Sequence, residues 1–149
     1  MNHFRLIPAV YVILRDNNKI LLLQRKNTGY HDGDFSLPAG HVDGGETLSE
    51  AVIREAKEEL GITIEDTALK LVHVLHRKSD VAGNANERVD FYFEAKGWSG
   101  NITNMEPEKC NLLEWYAADE LPENMIPAVK SVLSAVTSGD IYTNFGWNI

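Results

Sequence analysis

An α/β domain with a mixed central sheet and helices on its faces is the fold class this chain predicts, on three observations. Two apolar runs, Ile7 to Leu14 and Ile20 to Arg25, flank a polar Asp/Asn turn and read as a β-hairpin. Thr47 to Leu60 carries a helical pattern with start and stop signals at its ends. Two more strand-like runs and a second helix follow it, which calls for a layered sheet rather than a bundle or an all-β barrel.

Taken in order, the first run is β-branched and aromatic, and Asp16-Asn17-Asn18 supplies the reversal. The segment Lys26 to Ser36 is rich in Gly, Asp and aromatic residues and reads as surface backbone with functional potential. Phe35 to Glu46 holds a short strand and a Gly-rich turn. In the first helix, Thr47 and Glu50 have the spacing of a capping box, and Gly61 sits where a left-handed cap belongs. Strands are expected at Leu69–His76 and Arg88–Ala95, joined by a mobile-looking connection, and a shorter one at Leu112–Ala117. Pro127 to Val136 reads as the second helix, with Pro in its first turn. The aromatic tail from Ser138 onward gives no periodic signal.

A length of 149 residues suits one domain, 1–149, with room for a sizeable core. The net charge of −8 argues against a binder of nucleic-acid polymers, but a small phosphorylated ligand can arrive with a divalent cation. Cys110 is the only cysteine, so no internal disulfide forms and a reducing compartment is expected. The first residues lack the pattern of a signal peptide, and there is no membrane-length apolar run. A cytoplasmic location follows as the expectation.

The first helix raises the question of function. Glu55, Glu58 and Glu59 crowd little more than one turn, where like charges repel. With Glu55 at zero, Glu59 falls at about 40° and Glu58 at about 300° around the axis. Leu48, Ala51 and Val52 lie on the same side, while Glu50, Arg54 and Lys57 make the solvent face. Glu55 and Glu59 therefore continue an apolar stripe and aim into the protein. Burial would raise their pKa values unless a cation compensated, and oxygen clusters of this kind suit Mg²⁺ or Mn²⁺.

The surrounding spacing narrows the reading. Gly40 is followed after five residues by Glu46, after seven more by Arg54-Glu55, and then by Glu58-Glu59, Gly61 and Ile62. This resembles the Nudix box at every fixed position, with Ala56 standing where a bulkier apolar residue is usual. The resemblance implies a single Nudix domain with an α/β/α sandwich. It also implies Mg²⁺-dependent hydrolysis of a nucleoside diphosphate linked to another group. Glu55 and Glu59 match the principal metal ligands, Glu58 an additional ligand or proton acceptor, and Glu46 with Arg54 the brace between loop and helix. Gly40, next to the Ala39 peptide, matches the turn whose carbonyl reaches the metal. A homodimer is a further implication.

Outside the box, Asn104 to Pro122 resembles the segment that follows the central strands in small Nudix nucleoside-triphosphate diphosphatases, where a carboxylate completes the metal site. Glu106 and Glu108 are the candidates here, and Glu108 is the one taken into the metal set. Arg25 is a candidate for phosphates, and Tyr30, Phe35 and Asn124 for the base. The leading expectation is a nucleoside triphosphate, giving a monophosphate and pyrophosphate. ADP-sugars and dinucleoside polyphosphates are the alternative, and a non-catalytic nucleotide sensor is the reading from another class.

Overall fold

The computed structural model describes residues 2–78 and 87–147. The expected mobile connection between the central strands falls largely outside them. The strands are β1 (Ile7–Asp16), β2 (Lys19–Arg25), β3 (Phe35–Ser36), β4 (Ala39–His41), β5 (Leu69–Lys78), β6 (Glu87–Ala95), β7 (Cys110–Ala117) and β8 (Tyr142–Phe145). The helices are α1 (Leu48–Leu60) and α2 (Pro127–Thr137), with a 3₁₀ turn at Asp66–Ala68.

β1 is the hub of a mixed sheet ordered β3-β2-β1-β6-β5-β8. One edge of β1 runs parallel to β6 from Ile7 to Leu14. Its other edge is divided. Ala9, Val10 and Tyr11 pair antiparallel with β4, whereas Arg15 and Asp16 pair with β2 across the hairpin. The change of neighbour is bridged by Val12 N–H donating to Pro38 O at 3.0 Å. β2 then departs to pair with β7 and β3, so the sheet forks at β1.

Alternation along β1 sends its side chains to two cores. Val10, Val12 and Leu14 meet Ala51, Val52, Ala56 and Leu60 of α1. Ala9, Tyr11 and Ile13 face the other way, toward Ala128, Val129, Val132 and Leu133 of α2. The sheet is thus covered on both sides, as the α/β reading required. Ala56 is fully buried in the first cluster, where α1 lies close on the sheet. Among the described residues, no helix is long and apolar enough to cross a membrane.

Both signals read at the ends of α1 are present. Thr47 Oγ1 accepts from Glu50 N–H at 3.1 Å, and Glu50 Oε1 accepts from Thr47 N–H at 3.2 Å. Gly61 adopts φ 70°, a conformation that costs other residues, and its N–H donates to Lys57 O. The tail differs from expectation. β8 lies parallel beside β5, and His73 anchors it by hydrogen bonds to Asp140 O (2.9 Å) and Thr143 Oγ1 (2.7 Å). The stop of α1 and the anchoring of β8 are both set by a few polar contacts, not by apolar periodicity.

Thr47→Ala removes the side-chain half of the capping box and is expected to destabilise the fold by about 1 kcal/mol. Urea unfolding checks this: the midpoint should fall with the slope unchanged.

Candidate active site

Arg54 builds the turn between β4 and α1. Its Nε and Nη2 donate to the two oxygens of Glu46 at 3.0 and 2.9 Å, a bidentate pair. Nη2 also donates to His41 O at 3.0 Å, closing the end of β4 onto the helix. Nη1 donates to Glu55 Oε1 at 2.8 Å and reaches Glu58 Oε2 at 3.3 Å. Glu46 in turn accepts from Asp43 N–H at 2.7 Å. These donors, Arg54 first, hold the Glu46 carboxyl below the usual carboxylate range. The helical wheel had put Arg54 on the solvent face. Its guanidinium instead folds back along the helix to the loop, with only 28% of the side chain exposed.

The carboxylates differ in depth. Glu58 is more than half exposed, at 55%, while Glu55 is at 15%. A Cβ added to Gly40 would land on the Glu55 carboxylate, so this strand position admits only glycine while Glu55 keeps its place. Glu59 is the deepest, and its Oε2 accepts from Ala39 N–H at 3.2 Å. Burial, then the charges of Glu55 and Glu106, push the Glu59 carboxyl well above its ordinary value, against the pull of the Ala39 N–H. Burial also raises Glu55, with Arg54 opposing.

Among the described residues, no three His, Cys, Asp or Glu side chains stand close enough to cage a metal alone. That donor set still fits a divalent cation that keeps waters and shares phosphate oxygens, as Mg²⁺ does. Buried carboxylates are gathered here with fewer donors than charges, beside a strand stripped of its side chain at Gly40.

These groups line a cleft of about 680 Å³ that opens at the fork of the sheet. Glu106 lines it and is one of the charges acting on both Glu55 and Glu59. Glu108 does not: its side chain is exposed, and its carbonyl accepts from Asn27 Nδ2. The turn before β7, in which Lys109 and Cys110 N–H both bond Glu106 O, gives the inward position to Glu106. Glu108, expected among the metal ligands, thus stands off the cleft, and Glu106 lines it.

Arg25 and Tyr30 both line the cleft. Arg25 Nε donates to Tyr30 O at 2.7 Å, and Asp32 ties the same loop through Thr28 and Gly29 N–H. Phe35 and Asn124 lie off the cleft. Phe35 packs edge-on to Tyr116 in the α2 core, and Asn124 Nδ2 holds Gly33 O at 2.9 Å. Cys110 is buried, and burial raises its thiol pKa.

Three charged residues escaped the sequence reading. Arg77, Arg88 and Asp90 occupy inward positions of β5 and β6, and both arginines line the cleft. The available signal was the alternation in Arg88–Ala95, which puts Asp90 on the same face as Tyr92 and hence inside.

The NUDIX domain family matches residues 5–136. A MutT NUDIX hydrolase from Burkholderia pseudomallei has the same fold with a TM-score of 0.78 and 30% identity, over 88% of this chain and 98% of its own. The Nudix hydrolase YvcI of Bacillus subtilis is 30% identical over 129 residues, 85% of this chain and 77% of its own. An ADP-ribose pyrophosphatase of Methanocaldococcus jannaschii is 54% identical over 57 residues, 37% of this chain and 33% of its own. The chain thus spans a third or less of the length of several curated relatives it matches.

The raised Glu59 carboxyl has a thermodynamic consequence. The folded state keeps this proton above pH 4.5, where the unfolded chain releases it. Between that value and the higher folded one the native state binds more protons, so stability falls as pH rises. Metal-free protein should therefore melt at progressively lower temperature through that window, with Glu59→Gln flattening the slope. Mg²⁺ should raise the wild-type melting temperature most at the upper end of the window and leave the variant unmoved. Calorimetry across pH, with and without chelator, checks both.

Proposed function

The chain belongs to the Nudix family, and from that premise we propose a Mg²⁺-dependent pyrophosphohydrolase of nucleoside triphosphates or related nucleoside diphosphate derivatives. One observation carries the reading. Glu55, Glu59 and Glu106 face one another at the end of an open cleft, where burial raises the first two. Such a cluster is unfavourable by itself and becomes favourable with a divalent cation and a polyphosphate. Mg²⁺, with Mn²⁺ as a substitute, would be held by Glu55, Glu59, the Gly40 turn and Glu106. When bound it neutralises phosphate charge and makes a water more acidic.

The chain's own residues do the rest. Arg54 fixes the helix and loop, so that Glu55 and Glu59 keep their spacing without further reorganisation. Arg25, ordered by the Tyr30 carbonyl, supplies positive charge on the cleft wall for the phosphates. Glu58 is the exposed carboxylate at the mouth and takes the proton of the attacking water. A phosphorus–oxygen bond to water forms, the anhydride bond breaks, and for a triphosphate the products are a monophosphate and pyrophosphate. The local identity with an archaeal ADP-ribose pyrophosphatase supports a second reading, in which the leaving group is a sugar phosphate.

A Mg²⁺-dependent phosphate-release screen, coupled to inorganic pyrophosphatase or phosphatase, over triphosphates, ADP-ribose, nucleotide sugars and dinucleoside polyphosphates tests this. Turnover of one class is expected, and Glu58→Gln should lower kcat by about 10²- to 10⁴-fold, the usual worth of a general base. Nucleotide binding without turnover of any class would instead favour a sensor.

The two neighbouring glutamates separate cleanly. Glu106→Gln should cost about 10- to 100-fold in activity, as for residues that complete or orient a metal site. Glu108→Gln should leave kcat/KM within a factor of about two, since surface changes away from such features are nearly neutral.

A further inference from the structure

Tyr30 connects the two ends of the cleft. Its carbonyl accepts from Arg25, and its hydroxyl accepts from Arg77 Nη1 at 3.0 Å. Arg77 therefore stands one tyrosine side chain away from the phosphate-side arginine. It is only 4% exposed and yet lines the cleft.

Asp90 holds it from behind. Arg77 Nε lies 3.0 Å from Asp90 Oδ2, and Arg88 Nε lies 3.7 Å from Asp90 Oδ1. Two guanidiniums share one carboxylate, which leaves an excess of one positive charge. Asp90 is wholly buried and does not line the cleft, so an incoming ligand meets donors, not the carboxylate. The pairing is also poorly aligned. Nε of both arginines, both Asp90 oxygens and the Tyr92 hydroxyl are buried without a hydrogen bond among the described residues. A buried ion pair in such geometry repays little of its desolvation cost, so stability is a weak reason for it. The adjoining wall is apolar and aromatic: Ala9, Leu37, Ile126 and Tyr11, whose ring stacks on Tyr92 at 4.4 Å.

Donors beside an apolar and aromatic wall are the chemistry of base recognition. We propose that Arg77 is a specificity-determining residue that reads the acceptor edge of an oxo-bearing nucleobase, with Asp90 and Tyr30 as positioning residues. A guanidinium matches adjacent acceptors such as O6 and N7 of guanine, whereas adenine presents an amino donor beside N7. The inference rests on the nucleotide-hydrolase reading for its orientation, with the phosphates at the carboxylate end.

The test measures binding of GMP, IMP and AMP to the full chain by NMR titration in chelator, so that neither metal nor turnover enters. Arg77→Lys keeps a charge beside Asp90 but loses the fork. The double variant Arg77→Met/Asp90→Asn removes both charges, in case a lone buried charge prevents folding. Wild type should prefer GMP and IMP over AMP by about tenfold or more, and both variants should erase most of that ratio. A structural role for Arg77 would lower all three affinities together and leave the ratio alone. Equal binding of the three by wild type, or an unchanged ratio in either folded variant, overturns the proposal. A preserved Arg77-dependent ratio in a protein that cleaves none of the screened compounds would sink the hydrolase reading and leave this one standing.

Discussion

Everything at the carboxylate end of the cleft depends on how Arg54 spends its five donors. Two go to Glu46, one to the carbonyl that ends β4, and the remaining contacts to Glu55 and Glu58. One planar cation thus ties a loop, a strand end and a helix face into a single rigid piece. A lysine offers one compact charge and no fork, and so could not hold three directions at once. The brace also explains why three glutamates are tolerated in one turn: two of them, Glu55 and Glu58, already share a cation before any metal arrives.

Glu59 is left out of that arrangement. It lies deeper, has the Ala39 N–H at 3.2 Å, and faces Glu55 and Glu106. The fold accepts this cost because α1 is secured elsewhere. Its caps are satisfied at both ends, and Ala51, Val52, Ala56 and Leu60 are buried against β1 and its neighbours. Strain in the site is therefore supported by packing one turn away. Gly40 belongs to the same bargain, since a side chain there would take the place of the Glu55 carboxylate.

How legible this was from sequence depended on whether a residue's role is set locally. The inward aim of Glu55 and Glu59 followed from helical geometry alone, because both continue a stripe visible within one helix. The hairpin, α1 with its caps and α2 were readable for the same reason. β8 was not: Ile141 and Tyr142 are exposed, and the strand exists only because β5 and His73 receive it from far along the chain. Glu106 and Glu108 could not be told apart, since the turn before β7 decides which points inward and neither residue has a periodic neighbour to reveal it. Arg77 and Asp90 were hidden differently. Asp90 sits in a strand whose other face, Val89, Phe91 and Phe93, is apolar, while Arg77 sits in one with polar residues on both faces, and their meeting is a matter of register between β5 and β6.

The cleft gathers both carboxylates and guanidiniums within a chain of net charge −8. Such a protein repels a free polyphosphate at long range, and its own carboxylate cluster repels it again at contact. Arg25, Arg77 and Arg88 offset part of this locally, but they line the wall and do not neutralise the Glu55–Glu59–Glu106 group. On the proposed reading the missing positive charge arrives with the substrate. A divalent cation serves both partners: it relieves the raised carboxylates and screens the phosphates in one step. Binding of metal and nucleotide should on this account be mutually favourable, because each removes the repulsion that opposes the other, and that coupling is reciprocal by thermodynamic necessity.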